Sequence, residues 1–195
     1  MFTLSTDWSP YKGIFHLCFY VPGNGDETNI SDKVIHFKDN VPHYVNNWIK
    51  LSVSEIKKQN LNIKYIVRAL SSSELEATNE KPLQKLGLEL ASQLNAEFIP
   101  SIIYKSRHTK PLHTIPKAVD RKQELNDAYC VRKIANRNLA GNILFIDDVT
   151  TSGATANVIM SKILAVYPNL IPYQFAIAKT KRENDANRNN NLITF

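Results

Sequence analysis

The run NILFID, residues 142–147, holds four consecutive large apolar side chains and stops at a pair of aspartates, Asp147 and Asp148. Side chains alternate across a strand, so an unbroken apolar run presents greasy groups on both faces. Such a strand has no face left for water. It belongs inside a mostly parallel sheet that helices cover.

The flanking segments agree. Residues 41–60 repeat Val45, Trp48, Ile49, Val53 and Ile56 at three- and four-residue spacing, with Pro42 suited to a first helical turn. Residues 81–95 do the same with Leu83, Leu86, Leu90 and Leu94 behind Pro82, and 153–168 with Val158, Ile159, Ile163, Leu164 and Val166. Between these helices lie β-branched or apolar runs at 63–70, 96–105 and 172–180, and IFHLCFYV stands earlier at 14–21. Strands alternating with helices predict an α/β fold with a mostly parallel central sheet flanked by helices. Residues 21–29 read as a loop, and 181–191 as a polar arm without periodicity. A length of 195 residues suits a single domain spanning 1–195, with 1–40 as a hood or N-terminal appendage and 181–195 as a polar tail.

The aspartates fall where open α/β sheets carry their sites, beyond the carboxyl ends of the strands. The turn TTSGAT follows and opens a helix. Free amides and the positive end of the helix dipole make such a terminus an anion site. Gly153 lets the backbone approach a ligand closely, and Thr150, Thr151, Ser152 and Thr155 add hydroxyl donors around Ala154. The turn suits a phosphate. The carboxylates beside it suit the hydroxyls of a sugar or a metal ion. Together they point to a ribose 5-phosphate. A simpler account has Asp and Thr merely capping a helix, but one of each would serve that end. Neither G-x-x-x-x-G-K-[ST] nor G-x-G-x-x-G occurs.

The net charge of +6 fits a phosphorylated small molecule and leaves nucleic acid open as a partner without requiring it. The positives gather in Lys105, Arg107, His108 and Lys110, in Lys117, Arg121 and Lys122, and in Arg132, Lys133 and Arg137. Cys18 and Cys130 are too few and too far apart for a zinc ribbon and read as buried thiols. No apolar run approaches the roughly 18 residues that span a bilayer, and the first residues do not read as a signal peptide. A cytoplasmic protein without membrane contact is the expectation.

ILFIDDVTTSGAT, residues 143–155, resembles the phosphoribosyl pyrophosphate (PRPP) motif of type I phosphoribosyltransferases. The segment before it resembles the ComF-like branch of that family, through Arg107, Thr109, Leu112, Arg121, Asn126 and Tyr129 in similar order. The match runs from about residue 60 to 180, and the N-terminal zinc ribbon common in that branch is missing. The resemblance implies transfer of ribose 5-phosphate from PRPP to a nitrogen acceptor, with Mg²⁺ as cofactor and pyrophosphate released. It implies that Asp147 and Asp148 hold the ribose hydroxyls, directly or through Mg²⁺. Thr150, Thr151, Ser152, Gly153, Ala154 and Thr155 would cradle the 5-phosphate. Arg68, Ala69, Leu70, Ser71 and Ser72 would be the pyrophosphate loop. Residues 105–122 would close over PRPP, with Arg107 and Lys110 bringing cations to the leaving group and His108 or His113 placed to shuttle protons. Thr151 stands where the 6-oxopurine enzymes carry an acidic residue, which argues against hypoxanthine and guanine. A hood from the terminal segments, with Phe2, Trp8, Tyr11 and Phe15, would meet the acceptor. A homodimer is implied on the same ground. Two other readings remain: a regulatory or ComF-like module that binds PRPP or a nucleotide without turnover, in DNA uptake or another nucleic-acid process, and a Mg²⁺ phosphohydrolase built on the aspartate pair.

Overall fold

The computed structural model describes residues 2–4, 10–23, 26, 28–110, 114–115 and 117–181. The elements run β1 (Phe2–Leu4), β2 (Gly13–Tyr20), α1 (Ile30–Lys38), α2 (Pro42–Lys58), β3 (Ile63–Arg68), α3 (Pro82–Leu94), β4 (Glu97–Phe98), β5 (Ile103–Lys105), α4 (Ala118–Ala128), β6 (Tyr129–Val131), β7 (Gly141–Thr150), α5 (Ala154–Val166) and β8 (Leu170–Thr180). The main sheet has the order β1-β2-β8-β7-β3-β4. Every neighbouring pair in it is parallel except β1 with β2. The α/β class expected from the sequence is the class observed.

The apolar run behaves as its composition demands. Ile143, Leu144, Phe145 and Ile146 are fully buried between β3 on one side and β8 on the other. Helices α2, α3 and α5 form at the anticipated places, with Pro42 and Pro82 in the first turns of α2 and α3. In α5, Val158, Ile159 and Ile163 are buried, while Leu164 and Val166 are only partly covered.

Four local expectations change. Residues 96–105 do not form one strand. Pro100 has no N–H for a ladder, and the chain turns through a short 3₁₀ segment at Pro100–Ile102. Phe98 therefore stays in the main sheet, while β5 leaves it to pair antiparallel with β6. The basic segment contains α4. Residues 30–38 form α1, with Ile30, Val34 and Phe37 buried. Finally, the early strand joins the main sheet, where β2 pairs with β8.

The chain has only six glycines, and asparagine does part of their work. The described non-glycine residues with positive φ are Asn29, Asn40, Asn60, Asn62, Asn95 and Asn136. Asparagine is the side chain that best tolerates the left-handed region, and Asn95 uses it to end α3.

Candidate active site

From β3 the chain proceeds through α3 to β4 on one side of the sheet. From β7 it proceeds through α5 to β8 on the other. The order therefore reverses between β3 and β7, and a crevice opens at their carboxyl ends. Arg68↔Ile146 is the last β3–β7 pair, closed by the Ala69 N–H donating to the Ile146 carbonyl at 2.9 Å. On the β8 side, β7 continues to Thr150↔Lys179. The strand thus does not stop at the aspartates, as the apolar run suggested. Asp147 and Asp148 sit in the stretch where β7 has lost one neighbour and kept the other.

Both aspartates are half-buried. Asp147 Oδ1 accepts from the Asp148 N–H at 2.9 Å, and Asp148 Oδ1 from the Val149 N–H at 2.6 Å. Burial, then the Asp148 charge, pushes the Asp147 carboxyl above its usual range. Lys38 Nζ, at the end of α1, lies 3.7 Å from Asp148 Oδ2. The sequence reading missed Lys38 because it assigned no element there. The spacing of Ile30, Val34 and Phe37 was the available signal.

Two cavities meet at Asp147. The first, of about 430 Å³, is lined by the loop 68–72, the start of α3 at Lys81–Leu83, Thr109, Lys110, Tyr129 and both aspartates. The second, of about 570 Å³, is lined by the whole turn from Thr150 to Thr155, with Tyr20, Arg121 and Thr180. Lys38, Asp147, Val149 and Thr155 line both.

The second cavity keeps the helix terminus open. Gly153 caps α5 with φ +71°, and no side chain caps that end. The simple capping account of the motif therefore does not hold. Tyr11 donates its hydroxyl to the Ala156 carbonyl at 2.7 Å and fastens the first turn from behind. Thr150 departs from expectation: it is buried, and its Oγ1 accepts from Gln174 Nε2 at 3.2 Å. Its hydroxyl is thus engaged inside the sheet. Thr151 shares a 2.8 Å hydroxyl contact with Thr180.

In the first cavity Arg68 must be reassigned. Its side chain is 1% exposed and every guanidinium donor is engaged. Nε donates to Gln84 Oε1, Nη1 to the Ala69 carbonyl and Glu74 Oε2, and Nη2 to Glu74 Oε1 and the Thr78 carbonyl. A guanidinium has five N–H groups, so none remains for a ligand. Glu74 also accepts from the Ser71 and Thr78 N–H groups and the Thr78 hydroxyl. Burial alone would raise its pKa; these bonds outweigh it and hold the carboxyl at about 2. Of the loop amides, Ala69 and Ser71 are thus committed internally.

Arg107 is likewise held. It makes a two-pronged pair with Glu124 at 2.8 and 2.9 Å and does not line the first cavity. Glu124 also takes the Lys110 N–H at 2.9 Å. Lys110 and Thr109 do line it, as do Lys38 and Lys81, which the sequence reading did not single out. His108 is exposed, and His113 and Leu112 lie outside the described residues. Farther away, Arg132 pairs with Glu76 and Arg137 with Glu97. Tyr11 and Phe15 are core residues, Phe15 packing on Tyr173 at 6.5 Å between centroids, so neither is free to stack on a base. Trp8 and the Phe2 side chain lie outside the described residues.

Among the described residues no three His, Cys, Asp or Glu side chains gather as a metal site. Mg²⁺ commonly rests on one or two carboxylates plus substrate oxygens, a requirement the aspartate pair fits. Cys18 is buried, Cys130 is half-buried, and both are free thiols. Among the described residues no helix is long and apolar enough to cross a membrane.

No protein-family model matches the chain, and no curated protein is similar to it in sequence. Solved structures match over part of their length. An adenine phosphoribosyltransferase matches with 16% identity and a TM-score of 0.42, over 71% of this chain and 69% of its own. The adenine phosphoribosyltransferase of Trypanosoma brucei, solved with AMP, pyrophosphate and ribose-5-phosphate, matches with 13% identity and a TM-score of 0.44, over 80% and 73%.

Proposed function

We propose that the protein is a ComF-like type I phosphoribosyltransferase that moves ribose 5-phosphate from PRPP to a nitrogen acceptor. One observation carries the reading: two cavities, one floored by an uncapped helix terminus, meet at Asp147, one of a carboxylate pair on the crevice where the strand order reverses. A phosphate, a diol and a second anionic group arranged in line would match that sequence of surfaces.

In the reaction the acceptor nitrogen's lone pair forms a bond to ribose C1. The C1–O bond breaks, its electron pair leaves on pyrophosphate, and the acceptor gives up its proton. Positive charge grows on the ribose while negative charge grows on the leaving group. The α5 amides, with Ser152 and Thr155, hold the 5-phosphate. Asp147 and Asp148 accept hydrogen bonds from the ribose hydroxyls and lie near the developing positive charge. Lys110, Lys81 and Lys38 are the cations placed for pyrophosphate, in the part first assigned to Arg68 and Arg107. Mg²⁺ held at Asp147 and Asp148, when bound, would neutralise charge on the leaving group.

A second reading has a specific observation behind it. Both arginines anticipated for pyrophosphate are occupied by internal carboxylates, Glu74 and Glu124. That suits a module which binds PRPP or a nucleotide without turnover. Calorimetric titration of PRPP with and without Mg²⁺, followed by pyrophosphate-release assays over a panel of bases, separates the two. Release with any base supports the transferase. Binding without release supports the module. Absence of PRPP binding removes both.

A further inference from the structure

One buried charge has no part in that scheme. Lys105, at the end of β5, is 4% exposed, and it lines neither cavity. Its Nζ donates to the Ser71 carbonyl at 2.5 Å and to Thr109 Oγ1 at 3.2 Å. It also stands 5.2 Å from the centre of the Tyr129 ring. Ser71 belongs to the loop after β3, and Thr109 to the segment that brings Lys110 to the cleft. A single ammonium therefore holds both.

Tyr129 assists by donating its hydroxyl to the Leu70 carbonyl at 3.0 Å. Two successive carbonyls of the loop are thus drawn into the wall. In a trans peptide the C=O and N–H point in opposite directions. Drawing the Ser71 carbonyl toward Lys105 therefore turns the Ser72 N–H the other way, and Ser72 lines the first cavity. An ammonium is costly to bury, and a methionine would fill the same space more cheaply. The charge is explained by what it holds.

We propose that Lys105 is a positioning residue that sets the loop 69–72 and the segment 106–110 as one unit, aiming the Ser72 amide and Lys110 at one anionic group of the ligand. Only the identity of that group, pyrophosphate, rests on the transferase reading.

The arrangement titrates. Burial lowers the Lys105 pKa to about 8, against the opposing pull of Glu74 behind β3 and Glu124 on α4. Each of those carboxylates is paired with an arginine, Arg68 and Arg107, and Tyr129 from β6 packs on the ammonium. Below that pH the hydrogen bonds are charge-assisted. As pH rises through it they become neutral and about half as strong.

Lys105→Met and Thr109→Val are compared with the wild-type full chain by amide hydrogen exchange. Lys105→Met speeds exchange at both 69–72 and 106–110 and leaves β7 and β8 protected. Thr109→Val speeds only 106–110. Unchanged exchange at either segment in Lys105→Met, or equal loosening of β7 and β8, overturns the proposal. Titration with inorganic pyrophosphate then tests the aim. Wild-type affinity falls about fivefold between pH 7 and pH 9, whereas Lys105→Met binds more weakly and shows no such fall. Pyrophosphate only gains negative charge over that interval, so the fall is not the ligand's own. Identical affinity and pH profiles in the two proteins also overturn the proposal. A wild-type chain that binds no pyrophosphate refutes the subsite reading instead, and the exchange data still decide the link.

Discussion

Arg68 and Glu74 form a two-pronged ion pair with side chains 1% and 3% exposed, with Nη2–Oε1 at 2.6 Å and Nη1–Oε2 at 3.1 Å. The pair ties the end of β3 to the loop that follows. Removing one member leaves the other charged and buried, which typically costs about 3–5 kcal/mol. Glu74→Ala should lose that much in urea unfolding. The double variant Arg68→Met/Glu74→Leu should lose less than Glu74→Ala alone, because neither charge is then stranded.

The same pair sets an acid limb. The folded Glu74 pKa is about 2, against about 4.3 for an unperturbed glutamate. The carboxylate therefore contributes its full stabilisation above about pH 4.3, and loses it as pH falls toward 2. Stability measured from pH 6 down to pH 2 should decline less steeply in Glu74→Gln than in the wild type.

Asp147 and Asp148 trade stability for binding. Burial and mutual repulsion already disfavour ionised Asp147. Asp148→Asn should keep the thermal midpoint or raise it by about 2–4 °C per kcal/mol of repulsion relieved. It should also weaken ribose 5-phosphate binding by about tenfold or more, the effect of a lost charged hydrogen bond. Unchanged affinity in Asp147→Asn/Asp148→Asn would overturn the ribose assignment.

Thr150 and Ser152, two residues apart, should respond oppositely. Thr150→Val strands Gln174 Nε2 in the core and should cost about 1–3 kcal/mol without changing phosphate affinity. Ser152→Ala, on an exposed position, should weaken inorganic phosphate binding and leave stability within about 0.5 kcal/mol. Calorimetry and urea titration on both variants check the pair.

Gly87 lets α3 sit close on β4. A Cβ there would come within 2.4 Å of the Phe98 ring. Gly87→Ala should destabilise by about 1–3 kcal/mol despite the better helix propensity of alanine. Phe98→Leu in the same chain should recover part of it.

The sheet class and the helix faces were legible because they depend on local periodicity. NILFID could hardly be anything but a central strand. The run from Asp147 to Thr155 stood out for the same reason, since its residues are contiguous across the end of β7 and the start of α5. What the sequence hid was pairing at a distance. Arg68 looked like a free cation because Glu74, Gln84 and Thr78 reach it only through the folded loop and α3. Arg107 looked free for the same reason, its partner Glu124 being in a helix that the basic composition obscured. Lys38 and Lys81 arrive from elements whose ends meet the cleft only in three dimensions. Thr150 read as one more hydroxyl because nothing local says toward which face a strand's last residue turns.

The position of β2 bears on how the protein is made. Its parallel partner, β8, lies some 150 residues later in the chain. During synthesis the apolar strand from Ile14 to Phe19 must wait for about 150 further residues before that edge is satisfied. Closing so long a loop delays the final step of assembly, and it exposes a sticky edge in the interval. A chain cut before Leu170 would have every helix of the described fold and still leave two strands without a shared neighbour. Among the described strands, the last in chain order is the one that joins β2 to β7.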